Sequence, residues 1–526
     1  MKSTIKTLGL FAAGLLLTAS CGDSFLTVEN PTGEPLEEYY VTDAKVFEAL
    51  TAAYDPLHWP DWGLGQYNAL NIDSEIMSDL FWVGGSNYAD MQNWHLLSDF
   101  NGNQSNTLSS LWTVDYSGIK RCNDVLKYIG WADERGNLSA ANKKSYTEQA
   151  RILRVFYYNM LWHYFGNVPY YLQDLTDPYT APQLTADEVY QNIIAELEDV
   201  LKDCSLPMRW DDQNAGRVSK AMAYMLYTEM VTYQNDKARF GKALSYMNEI
   251  INSKDYDLNP DYAALWAESG EWCKESIWEI NYESANNDRG WGSPLATGGT
   301  VLPTLISPNS WKGGDGWAGG DGWGFLTVRT STFDMFEEGD ARREATCWDV
   351  RYVLDTDKDY TWRYQDTHIW LAKYRPFTET NAAAGFDNNL NYNNNLRYYR
   401  YSECLLYAAE LIVRGGGSGD AKDLLKQVRE RAGLEAVDAT LDNIMRERKY
   451  EFVGEGKRYW DLVRMVDVPE ASENAQTALV EAPCDGCNPT DGGRIGHWTK
   501  NKKYIPIAQG ELDSDPALKQ NEEYFK

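Results

Sequence analysis

The stretch "IMRERKYEFVGEGKRYWDLVRM", Ile444 to Met465, holds two helix-forming halves that meet at a pair of glycines. Glu447, Arg448, Glu451, Lys457, Arg458 and Asp461 stand at spacings that allow opposite charges to pair along a helix. Gly454 and Gly456 break the helix between the halves, because glycine enters backbone regions that other residues avoid. The segment reads as a structural corner and not as a ligand site.

The same helical habit extends outward from this corner. Upstream, "RYYRYSECLLYAAELIVRG" and "DAKDLLKQVRERAG" form a helical pair. Far toward the N-terminus, "KSYTEQARILRVFYYNMLWHYFG" repeats Leu153, Phe156, Tyr157, Met160, Leu161 and Tyr164 at intervals of three and four, and Gly166 stops it. "TADEVYQNIIAELEDVLKD" opens with Thr185 and Glu188 in capping-box spacing and carries Val189, Ile193, Leu197 and Val200 on one face. Two more amphipathic helices carry Met222, Leu226 and Met230, then Leu244, Met247 and Ile251. Short connections between them imply antiparallel hairpins. The fold class is therefore mainly α, a stack of helix hairpins. The tetratricopeptide consensus W-x2-L-G-x2-Y is absent and the pair spacing is irregular, so periodicity alone names no repeat family.

Regularity is lost between residues 261 and 395. "ESIWEINYES" alternates like a short strand, and eleven glycines then fall between Gly290 and Gly324. This gives a division into 43–260, an N-terminal helical-hairpin part; 261–395, a loop-rich ligand-binding insertion; 396–470, C-terminal hairpins; and 471–526, an extended tail. Residues 1–20 read as a signal peptide: Lys2 and Lys6 precede the apolar run "LGLFAAGLLL", which is too short to span a membrane. "TASC" then resembles a bacterial lipobox, with Thr18 where Leu is commoner. Cys21 becomes the acylated first residue of a tether over 21–42, and several acyl chains suffice to hold a protein to a membrane. No other apolar run is long enough to cross a bilayer.

The chain has 526 residues, 43% of them hydrophobic, with 20 Trp and 35 Tyr, which excludes general disorder. A net charge of −29 argues against nucleic acid and other polyanions as ligands. Cys484 and Cys487 form one C-x-x-C with no second pair to complete a zinc site, so they read as a local disulfide or two thiols. Cys122, Cys204, Cys273, Cys347 and Cys404 read as small buried residues.

The insertion carries the chemistry. "GGDGWAGGDGWGF", Gly313 to Phe325, places an indole twice where the backbone is hardest to order. Sugars present apolar C–H faces rimmed by hydroxyls, so a sugar site needs flat rings to stack on and planar polar groups beside them. Trp291, Trp311, Trp317 and Trp323 supply rings, and Asn286, Asn287, Asp288, Arg289, Asp315 and Asp321 surround them. "DLFWVGGSNYADMQNW" forms a second such cluster with Trp82, Asn87, Tyr88 and Trp94. The competing reading of each indole is a plug that seats its loop on the helical body. In "DTDKDYTWRYQD", Asp355, Asp357 and Asp359 are spaced as in a calcium loop with Asp366 twelfth, but Tyr360 replaces the glycine of the sharp turn. An acidic hairpin turn is the favoured reading, a structural calcium the alternative; no cofactor is required. His58, His95, His163, His368 and His497 show no catalytic spacing, and no Walker loop or G-x-S-x-G is present. The chain thus reads as a non-enzyme. A glycoside hydrolase, needing only two carboxylates, is the first alternative, and a helical-repeat protein scaffold the second.

Three segments together resemble the SusD/RagB family of surface glycan-binding lipoproteins: the start "CGDSFLTVENP", the Ile444–Met465 corner, and the ending "YIPIAQGELDSDPALKQNEEY". "YFGNVPYY" and "GRVSKAMAYMLYTEM" are similar to family segments too. The resemblance implies eight helices paired as four tetratricopeptide-like units and a glycan site drawn from the two aromatic clusters. It also implies a non-catalytic role as the lid of a TonB-dependent (SusC-like) outer-membrane transporter. Asp23, just after the lipidated cysteine, is similar to the acidic signals that send such lipoproteins to the outer face. The implied ligand is a polysaccharide or oligosaccharide, and the implied location is the outer membrane, reached only through the lipid anchor.

Overall fold

Local signals start and stop the long helices. The computed structural model describes residues 33, 35–62, 66–284, 289–292, 298–312, 322–351, 360–376, 388–480 and 498–526. Thr42 caps Asp43–Tyr54 (α1), and the short Leu70–Glu75 (α2) is wholly buried. Ser109–Glu134 (α3) and Ala140–Phe165 (α4) form a long hairpin. In α4 every side chain from Ile152 to Phe165 is buried, the polar Arg154, Asn159 and His163 among them, so this half of the helix is enclosed on all sides. Gly166, at φ +68°, ends it. Thr185 and Glu188 form the reciprocal capping box of Ala186–Leu201 (α5). Lys220–Tyr233 (α6) and Phe240–Ser253 (α7) continue the stack. Among the described residues, no helix is long and apolar enough to cross a membrane.

The chain then leaves the stack and returns to it. Tyr401–Val413 (α8) packs on α7, so the helices on either side of the insertion are neighbours. Ala421–Arg431 (α9), Leu441–Glu451 (α10) and Arg458–Arg464 (α11) complete the series. Between α7 and α8 the described structure is mostly loop with short strands. Phe81–Gly84 (β1) pairs antiparallel with Phe325–Val328, and Ser276–Ile280 pairs antiparallel with Leu396–Arg400. All five residues of Ser276–Ile280 are buried, with Trp278 meeting Phe156 of α4 edge to face at 5.1 Å. Cys122, Cys347 and Cys404 are buried thiols; Cys204 and Cys273 are only half-buried, which corrects their reading as core residues.

The corner is a corner, but its charges reach farther than helical spacing suggests. Within the run, Asp461 pairs with Arg448 at 2.8 Å and with Arg464 at 2.8 Å. The other charges bind distant segments, and nearly all are buried. Glu451 accepts from Arg400 at 2.9 Å and Arg342 at 3.1 Å, and also from Arg431. Glu455 holds Arg400 at 2.7 Å and the buried Lys373 at 2.6 Å. Glu447 binds Arg342 and Arg429, and Arg458 forks onto Asp79. Burial opposes the charged form of Glu451, yet Arg431, Arg400 and Arg342 together hold it well below the usual carboxylate range. The glycines let these chains meet. Gly454 (φ +80°) leaves no space for a methyl group beside Leu371, and Gly456 (φ +78°) sits against the backbone of α2. There the Gly456 amide donates to Glu75 at 2.9 Å and its carbonyl accepts from Ser74 at 2.9 Å.

Two stability measurements follow. Glu451→Gln leaves three guanidinium groups short of a counter-charge, and should lower the unfolding free energy in urea by about 3–5 kcal/mol. Glu75 behaves oppositely: burial pushes its carboxyl up from an ordinary 4.5 to about 8, against the Gly456 and Ser78 hydrogen bonds. Its contribution is complete below about pH 4.5 and is lost as pH rises to about 8, because unfolding releases a proton in that window. The stability difference between the native chain and Glu75→Gln should therefore shrink between pH 5 and 8, by at most about 1.4 kcal/mol per pH unit.

Candidate functional site

Burial separates the expected ring residues into two groups. Trp82, Trp94 and Trp311 are buried, so the expectation that they present rings outward is corrected. Trp82 lies on β1 with the Arg329 guanidinium 3.7 Å from its ring centre. Trp94 meets Phe325 edge to face at 5.2 Å. Trp311 forms a small separate core with Val350, Tyr360 and Trp370. All three are plugs: loops without long strand ladders need apolar contacts to hold them. Arg289 is also buried, at 2% exposure, and does not reach the surface. Asn87 is exposed, its amide oxygen accepting from the Ala89 amide at 2.8 Å. Trp317, Asp315, Asp321, Asn286, Asn287, Asp288, Asp355, Asp357, Asp359, Cys21, Cys484 and Cys487 lie outside the described residues. Asp366 accepts from the His368 amide at 2.7 Å and closes its own turn.

The remaining two indoles meet at the surface with two partners that the sequence reading missed. Trp291 is 48% exposed, and Trp323, Trp62 and Tyr67 are half-buried. Trp291 and Trp323 stack at 5.9 Å with 28° between their planes. Trp62 and Tyr67 stack at 4.7 Å and 23°. The two pairs join edge to face, Trp62 to Trp291 at 5.3 Å and 69°, Tyr67 to Trp323 at 5.2 Å and 71°. The result is a closed circuit of four rings offering aromatic faces in two steeply inclined directions. "WPDWGLGQY", Trp59 to Tyr67, carried the same signal as the Gly–Trp insertion, tryptophan beside glycine in a segment too short for a helix.

A buried ion pair positions these rings. Arg289 meets Asp61 at 2.6 Å, each 2% exposed or less. The guanidinium also donates to the carbonyls of Trp62 at 2.6 Å and Gly299 at 2.9 Å. Asp61 accepts from the Thr300 hydroxyl at 2.6 Å and the Val301 amide at 2.9 Å. Arg289 stands two residues before Trp291 and Asp61 one before Trp62, so one pair sets both loops. Trp323 is held separately: its amide donates to Thr304 at 2.8 Å, and Gly322 approaches the Ser307 carbonyl where a Cβ would lie 2.3 Å from it. Burial, with Asp90 nearby, pushes the Tyr67 phenol up to about 12, so it remains a neutral donor.

Residues 349–524 match a family model described as the SusD family, and residues 25–230 match one described as starch-binding associating with outer membrane. Surface glycan-binding protein A from Bacteroides uniformis is 57% identical, with 92% of this chain and 100% of that one covered and a TM-score of 0.82. Surface glycan-binding protein A from Bacteroides thetaiotaomicron, in complex with laminarihexaose, is 48% identical over 91% of this chain and 99% of that one, with a TM-score of 0.84. A laminarin binding SusD-like protein is 26% identical over 91% and 99%, with a TM-score of 0.79.

The Arg289–Asp61 pair is open to a direct check. Arg289→Met should release the loops of Trp62 and Trp291, red-shifting the tryptophan emission and raising its quenching by acrylamide, with the far-ultraviolet helical signal unchanged. An emission spectrum identical to that of the native chain would show that the ion pair does not set the rings.

Proposed function

Because the chain belongs to the SusD family, we propose that it is a lipid-anchored surface protein that binds a polysaccharide or oligosaccharide against Trp62, Tyr67, Trp291 and Trp323. The observation that carries this reading is the four-ring circuit: large apolar faces left at the surface, on loops that a buried ion pair keeps in place. Exposed rings of this size are costly to leave in water unless something covers them. A glycan does so with its C–H faces. The two inclinations of the ring pairs suit a chain that turns as it passes, and a laminarin-type glucan is the ligand class, supported by the two laminarin-related proteins that this chain is similar to.

The reading includes delivery of the glycan to a TonB-dependent transporter of the outer membrane, with Cys21 as the anchor and the site facing the cell exterior. The protein has no catalytic part in it. Among the described residues, Asp61, beside Trp62, supports this, being buried and committed to Arg289. A hydrolase needs two carboxylates free to exchange protons across the scissile bond. With about 0.5–1.5 kcal/mol per aromatic contact and a few hydrogen bonds, binding of about 4–7 kcal/mol corresponds to a Kd between roughly millimolar and ten micromolar. That range allows capture and release.

The test is calorimetry with laminarihexaose and retardation in a laminarin-containing gel, with reducing ends assayed in parallel. Trp291→Ala and Trp323→Ala should each weaken binding about three- to tenfold without unfolding, and no reducing ends should appear. Undiminished affinity in both variants would remove the ring circuit as the site, and released sugar would make the protein an enzyme.

A further inference from the structure

The ring surface does not stop at Trp323. Gly324, the next residue, accepts at its carbonyl from the Gly85 amide at 2.8 Å, and the Gly85 carbonyl accepts from the Tyr364 amide at 2.9 Å. Three chain segments thus lie side by side, and Arg363, the neighbour of Tyr364, also packs on Gly324, where a Cβ would lie 2.7 Å from its side chain. The close approach depends on glycine. A Cβ on Gly84 (φ +80°) would lie 2.3 Å from the Gly324 carbonyl, and one on Gly85 would strike Phe325.

Tyr88 and Tyr364, both half-exposed, flank the buried His95 at 4.8 Å and 5.6 Å. Burial pushes the imidazole down to about 4, so at neutral pH it is an uncharged ring, tilted 32° to Tyr88 and meeting Tyr364 edge to face. The Tyr88 hydroxyl donates to Asp99 at 2.9 Å, which fixes its ring. Asp90 lies near enough to act on both His95 and Tyr67 of the four-ring circuit, and Asn87 is exposed beside Tyr88. Two phenol rings with a carboxylate and an amide beside them thus continue the aromatic surface that begins at Trp323.

We propose that Tyr88 and Tyr364, with Asp90 and Asn87, form a second group of subsites that takes further pyranose units of the same polymer. The inference rests on the glycan-binding reading above and adds to it that affinity grows with ligand length beyond what the circuit holds. A short oligosaccharide occupies Trp62, Tyr67, Trp291 and Trp323 alone. A long chain reaches both groups.

The experiment compares a laminarin trisaccharide with laminarin polysaccharide, by calorimetry on the mature, lipid-free full chain. The native chain should bind the polymer more tightly than the trisaccharide. Tyr88→Ala and Tyr364→Ala should each reduce polymer affinity about three- to tenfold, the size of one ring contact, and change trisaccharide affinity less than twofold. Asn87→Ala, at an exposed position, should act in the same direction, and Tyr88→Leu keeps apolar volume over His95 should the alanine variant misfold. Polymer affinity equal to the native value in the folded variants overturns the second group of subsites. So does an equal loss on trisaccharide and polymer, which would place the tyrosines within the first site. A native chain that binds neither ligand instead defeats the laminarin reading itself, and is recognised before any variant is made.

Discussion

Burial of one carboxylate among three guanidinium groups determines how the loop-rich part sits on the helices. Glu451, at the end of α10, takes Arg431 from the neighbouring helix, Arg400 from the strand that leads out of the insertion, and Arg342 from within it. Stripping water from such charges costs several kcal/mol per ion, and their attraction roughly offsets this only when every partner is present. The arrangement therefore adds little net stability while penalising any docking in which one partner is absent. Glu455, with Arg400 and Lys373, repeats the device one turn of chain later. Lys373 and Arg342 are thereby pinned, and the insertion rises from a fixed base.

The same solution recurs at smaller scale among the loops. Arg289 and Asp61 join two segments separated by more than two hundred positions, and each also binds backbone groups that no strand ladder satisfies. Basic side chains used in this way are withdrawn from the surface. Their acidic partners are buried with them, so the pairs leave the acidic excess of the chain on its surface.

The helices were legible because their signals are local. The capping box at Thr185 and Glu188, the stop at Gly166 and the glycine break at residues 454–456 each act within one turn of the chain. The partners of Glu447, Glu451 and Arg458 were not legible, since helical spacing offers plausible pairs inside the run while the true partners lie far away in sequence. Indoles beside glycine posed a different difficulty. A plug and a presented ring share the same local composition, and only the fold distinguishes Trp82, Trp94 and Trp311 from Trp291 and Trp323. Trp62 and Tyr67 carried the signal but stood outside the Gly-rich insertion on which the reading concentrated. Arg289 was recognised as belonging to the site, though for a contact it does not make.

Plugs and presented rings depend on each other. Each ring contributes about one kcal/mol to a sugar contact, and ordering a loose loop on binding costs a comparable amount for every side chain immobilised. A tryptophan on a mobile loop would gain almost nothing. Seating Trp82, Trp94 and Trp311 in apolar contacts, and clamping the Arg289–Asp61 pair, meets that ordering cost during folding, so that Trp291 and Trp323 are already in place when a ligand arrives. The abundance of tryptophan in the loops is then explained by two populations, the inward one being the condition under which the outward one can bind.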